Sequence, residues 1–114
     1  MDWFLPGYKA GGPIRSVSNM VRALSEDFDF YIVTRNTDLS DHEPYKEVEP
    51  NKWLKKYNVH IYYMSADNYS KDAIKKLIGG RKYDVMYLNS LYSSQYALTP
   101  LRIRNKHFPD LKTV

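Results

Sequence analysis

The sequence predicts an α/β fold, with a parallel sheet and helices packed on its faces. Three observations predict it. Runs rich in aromatic and β-branched residues, at 28–34 (FDFYIVT), 59–64 (VHIYYM) and 84–88 (DVMYL), alternate with stretches of helical periodicity. A glycine-rich segment opens the first of the helices, as happens where α/β proteins bind ligands beyond the carboxyl end of a strand. A capping serine and a glycine pair bracket the second helix.

Taken in order, residues 2–5 are short and apolar apart from Asp2, and Pro6-Gly7 follows them. Residues 7–13 hold three glycines and a proline and read as a loop. From Pro13, whose missing N–H costs nothing at the first helical position, Ile14, Val17, Val21 and Leu24 recur at three- and four-residue spacing. A strand at 28–34 comes next. Residues 35–57 are polar and acidic with two prolines, which predicts a long loop with a short helical turn near Trp53. After the strand at 59–64, Ser70 is placed as an N-cap, with Asp72 in the first turn of a helix carrying Ala73, Ile74, Leu77 and Ile78. Gly79-Gly80 is expected to end it through a left-handed cap. A strand at 84–88, a helix over 93–106 and the first residues of another strand at 112–114 complete the series. Only residues 2–5 are available as a strand before the glycine loop, and the final strand is shorter than the usual five or six. The 114 residues therefore read as one domain of a larger protein, cut at both ends.

Composition limits the function classes. Hydrophobic residues make up 43% and charged residues 26%, as in a soluble globular protein, so a cytoplasmic location is expected, extending to the inner face of a membrane. No apolar run approaches the roughly 20 residues needed to cross a bilayer, and no signal peptide is recognised. Cysteine is absent, which excludes disulfides and thiolate metal sites. The net charge of +4 is uneven: residues 26–49 balance at −6 and residues 50–114 at +8. The basic half suits phosphates, contact with an anionic membrane surface, or simply solvated helix faces. A nucleic-acid partner is not expected, because the basic residues are spread over three segments without a nucleic-acid motif. His42, His60 and His107 are scattered, so no metal site is assigned.

Chemistry concentrates in the segment PGYKAGGPIRS, residues 6–16. Adjacent glycines let backbone approach a ligand and permit positive φ. The helix that follows directs its unpaired N–H groups and positive dipole end back toward the loop. Lys9 and Arg15 flank the pair with positive charge. Together Lys9, Gly11, Gly12 and Arg15 suit a diphosphate; the same residues also suit a turn that only reverses the chain. Neither Gly-x-Gly-x-x-Gly nor Gly-Lys-Ser/Thr is present, which argues against dinucleotide folds and P-loop NTPases. Asn89, Ser90 and Tyr92 follow a strand's carboxyl end, where open α/β sheets bind ligands, and are candidates for ligand contact or for capping the next helix.

PGYKAGGPIRSV, FYIVTRNTDL and VMYLNSLYS resemble the N-terminal domain of family 4 retaining glycosyltransferases. Lys9-x-Gly11-Gly12 is also similar to the lysine-glycine-glycine motif of glycogen and starch synthases. The resemblance implies the Rossmann-like N-terminal half of a two-domain GT-B enzyme, which transfers a sugar from a nucleotide-sugar donor to a carbohydrate or lipid-linked acceptor. It implies donor diphosphate contacts at Gly11 and Gly12, a phosphate contact for Lys9, and a similar role for Arg15. The implied partners are the nucleotide sugar, the acceptor and the protein's own C-terminal, donor-binding domain, with no metal or other cofactor. The paired glutamates of the family belong to that other domain. Where many relatives carry a histidine after the fourth strand, this sequence has Asn89-Ser90, and no catalytic residue is assigned. Alone, the chain is expected to be inactive. A stand-alone flavodoxin-like module binding a phosphorylated ligand is the alternative that the loop leaves open.

Overall fold

The structure is a computed structural model that describes residues 1–89 and 92–114. Its elements are α/β, in two compact units, Asp2–Asp67 and Asn68–Val114.

In the first unit, helix α1 (Gly12–Leu24) buries Ile14, Val17 and Val21, the stripe anticipated from their spacing. Strand β1 (Tyr31–Arg35) pairs in parallel with β3 (Val59–Met64), Ile32 opposite Ile61 and Thr34 opposite Tyr63. The bounds of β3 are those expected. A further strand, β2 (Trp53–Lys56), lies antiparallel on the other side of β3, giving the order β1-β3-β2. The sheet is therefore mixed rather than wholly parallel, and a strand replaces the helical turn expected near Trp53.

The reason is a hairpin. Tyr57 and Asn58 both adopt positive φ, 52° and 66°, as a two-residue turn matching strand twist requires. Asn58 tolerates that conformation, whereas nothing in the Tyr57 side chain announces it. Upstream, Asn51 (φ 62°) donates its N–H to the Tyr63 carbonyl at 2.7 Å. Its side-chain oxygen accepts the Ser65 N–H at 3.0 Å, fixing the approach to β2.

Residues 2–5 form no assigned strand, yet they run beside β1. The Asp2 carbonyl accepts the Arg35 N–H at 3.1 Å and the Thr34 hydroxyl at 3.1 Å. Tyr63 reaches across to donate to the Leu5 carbonyl at 2.5 Å. Phe4, Thr34, Ile61 and Tyr63 are completely or almost completely buried, so this end of the sheet is the core that carries the glycine loop.

The second unit holds α2 (Lys71–Gly79), β4 (Val85–Met86), a π-helical turn (Ser94–Leu98), α3 (Thr99–His107) and β5 (Lys112–Thr113). Ser70 caps α2 as anticipated, accepting the Ala73 N–H at 3.0 Å. The left-handed cap does not form: Gly80 has φ −74°. The glycine at position 79 has a packing reason instead, since a Cβ there would stand 2.9 Å from the Phe108 ring. Strands β4 and β5 pair in parallel over two residues each, shorter than the run at 84–88 suggests.

Candidate functional site

The four loop residues singled out from the sequence, Lys9, Gly11, Gly12 and Arg15, lie together in the first unit, at the start of α1. Gly11 is the N-cap residue, with φ 68° and ψ −109°, a conformation essentially closed to residues with a Cβ. No side chain caps the helix, and no acidic residue stands in its first turn. Of the leading amides, that of Arg15 donates to the Gly11 carbonyl at 3.2 Å, and Pro13 has none to give. The N–H groups of Gly12 and Ile14 have no hydrogen-bond acceptor among the described residues. A Cβ built on Gly11 or Gly12 would meet nothing within 4 Å, so the loop tip faces open space. A 13-residue helix thus presents two uncommitted donors at its positive end.

The stem of the loop is different. Asp38, only 5% exposed, turns its carboxylate onto the backbone of residues 8 and 9. The amide of Tyr8 donates to Oδ2 at 3.1 Å, and that of Lys9 is shared between Oδ1 at 3.3 Å and Oδ2 at 3.4 Å. Oδ1 also accepts the Leu39 N–H at 2.8 Å. Gly11 then folds back, donating to the Tyr8 carbonyl at 3.1 Å. The stem amides are therefore answered within the protein. Of the two glycines expected to meet a ligand through their N–H groups, only Gly12 keeps its donor.

Gly7 is buried under the same carboxylate. A Cβ on it would collide with the Tyr45 hydroxyl and stand 2.9 Å from Asp38 Oδ1 and 3.0 Å from the Phe4 carbonyl oxygen. The Gly7 amide lies beside the Tyr45 hydroxyl but donates to the Phe4 carbonyl at 2.9 Å, leaving that buried hydroxyl without a hydrogen-bond partner. Burial pushes the Tyr45 hydroxyl well above the ordinary tyrosine pKa, with the nearby Asp38 carboxylate adding to the effect. Burial does the same to Tyr63.

The two flanking cations are not equivalent. Lys9 Nζ contacts Asp41 Oδ1 at 2.5 Å, on the solvent side of the loop. That hydrogen bond is the main reason its pKa is raised, against a smaller opposing effect of desolvation. Both partners are well exposed, so the pair is weak and screened by salt. Arg15 is exposed in the first turn of α1 and forms no salt bridge among the described residues.

Sequence spacing does not reveal Asp38 or Asp41. They lie in the stretch expected to be a long acidic loop, 30 and 32 residues from the groups they bind. The loop is closed at its base by a bond from Tyr45 N–H to the Asn36 carbonyl at 2.9 Å and folds onto the glycine stem.

Asn89 and Tyr92 belong to the second unit: Asn89 is half-buried at a bend beyond β4, and Tyr92 is 100% exposed. Ser90 lies outside the described residues. Among the described residues no three His, Cys, Asp or Glu side chains are grouped as metal ligands, and no helix is long and apolar enough to cross a membrane. Comparisons of the chain with protein-family models, with curated protein sequences and with solved structures find no match.

Proposed function

We propose that this chain supplies the diphosphate-binding glycine loop of a nucleotide-sugar-dependent glycosyltransferase, as the acceptor-side, Rossmann-like half of a GT-B enzyme. The observation carrying the proposal is the pair of uncommitted N–H groups, Gly12 and Ile14, at the positive end of α1, beside a Gly11-Gly12 tip on which a Cβ would meet nothing within 4 Å. Two amides on one helical turn, with the exposed guanidinium of Arg15 beside them, suit adjacent phosphoryl groups. The resemblance of residues 6–17 to the glycosyltransferase loop supports the choice of a nucleotide sugar over other phosphorylated ligands.

The chemistry follows from charge. Transfer of the sugar leaves negative charge growing on the departing diphosphate. Fixed amide dipoles and cations stabilise that charge without having to reorganise. In this reading Gly12, Ile14 and Arg15 act on the phosphates, and Lys9 joins them by leaving Asp41. The sugar and base of the donor are held by a second domain, and Asn89, Ser90 and Tyr92 are the candidates for contact with the carbohydrate or lipid-linked acceptor. Contact with a membrane surface belongs to the same proposal, resting on the basic balance of residues 50–114.

The test is calorimetry of the chain against UDP, GDP, ADP and inorganic pyrophosphate, repeated with Gly12→Val. The wild-type chain should bind at least one nucleoside diphosphate. The variant, whose side chain enters space free of protein atoms, should remain folded and lose at least roughly tenfold in affinity. Equal binding by a folded Gly12→Val chain contradicts the assignment, and binding of pyrophosphate alone points to a general anion site.

A further inference from the structure

We infer that Asp38 is the positioning residue of the glycine loop: by holding the stem it fixes where the tip presents its donors. This rests on the diphosphate reading above. The loop must aim two amides at a ligand. On the helix side Ile14 is buried with α1; on the loop side the stem sets the position of Gly11. One nearly buried carboxylate receives the N–H groups of Tyr8 and Lys9, and the Leu39 N–H ties it to its own loop. Gly11 closes back on the Tyr8 carbonyl, so a shift at Tyr8 passes directly to the residue that sets the start of α1. Hydrogen bonds to an ionised acceptor are the stronger kind, and three of them converge here.

A second role would have the opposite sign. Asp38 is an anion close to a site meant for anions. Were it merely an electrostatic neighbour, removing its charge would tighten ligand binding. As a positioning residue its removal must weaken binding, because ordering the loop then falls on the ligand. An asparagine side chain at this position offers one acceptor oxygen where the carboxylate offers two, so Asp38→Asn should fall between wild type and Asp38→Ala.

The experiment reads both ends of the loop in the 114-residue chain. Amide hydrogen exchange without ligand should show Tyr8 and Lys9 at least roughly tenfold less protected in Asp38→Ala, with the amides of β1 and β3 unchanged. Titration with UDP, followed at the Gly12 and Ile14 resonances, should be weakened in the order wild type, Asp38→Asn, Asp38→Ala. Unchanged protection at Tyr8 and Lys9, or tighter binding in either variant, overturns the inference. If Asp38→Ala does not fold, the Asp38→Asn variant decides by the same two readings. Should UDP leave the wild-type resonances unmoved, the diphosphate reading fails, and Asp38 stands or falls on the exchange measurement alone.

Discussion

The two halves of the glycine loop are built on opposite terms. In the stem, around Gly7, Tyr8 and Lys9, every amide finds a protein acceptor, and a side chain on Gly7 has nowhere to go. At the tip, Gly12 and Ile14 offer amides that nothing in the described protein accepts, and a side chain on Gly12 would stand in the open. The difference separates two uses of glycine that look alike in a sequence. Gly7 is small because the fold is tight around it. Gly11 is glycine because its φ is positive. Neither reason applies to Gly12, whose lack of a side chain serves no internal contact.

The largest expected effect comes from substituting both ends alike. Gly7→Ala must displace the Tyr45 hydroxyl or the Asp38 carboxylate and should destabilise the chain by about 1–3 kcal/mol in urea denaturation. Gly12→Ala should change stability by no more than about 0.5 kcal/mol. Equal effects at the two positions would erase the distinction between stem and tip.

A smaller effect concerns the tyrosines beneath the stem. Burial holds the hydroxyls of Tyr45 and Tyr63 neutral beyond the ordinary pKa of 10.0. In the unfolded chain they ionise near that value, so above it the unfolded state binds fewer protons than the native one. The stability that neutrality confers is fully present below pH 10.0 and is lost as pH rises toward the higher folded values. Denaturation followed from pH 9 to 11 should show falling stability, with a shallower fall in a Tyr45→Phe, Tyr63→Phe double variant (both pH limits being about one unit either side of the ordinary value). An identical slope in that variant would mean that the hydroxyls are not held neutral by the fold.

Legibility follows the range of the interactions. The apolar stripe of α1, the bounds of β3 and the Ser70 cap depend on neighbours within one helical turn or one strand, and the sequence displays them. The strand at Trp53 is hidden because its hairpin relies on Tyr57 in a backbone conformation that tyrosine seldom adopts. Gly79-Gly80 misleads for the reverse reason: in a pair that suits a left-handed cap, the glycine at 79 is there to admit the Phe108 ring. At the site, the tip can be read because a glycine pair before a helix is a local pattern. The stem cannot, because Asp38 reaches it from 30 residues away and resembles any other acid in an acidic loop. Lys9 shows the same limit: its charge is evident in the sequence, its commitment to Asp41 is not.

A diphosphate site at the loop requires tip amides that are available to an anion and stem amides that are not. Nitrogen–proton correlation spectra of the chain, recorded while UDP is added, observe both sets at once. The Gly12 and Ile14 resonances should shift and saturate together, with those of Tyr8 and Lys9 moving far less. Saturating changes centred on Tyr8 and Lys9, or a spectrum unmoved at Gly12 and Ile14, would contradict it.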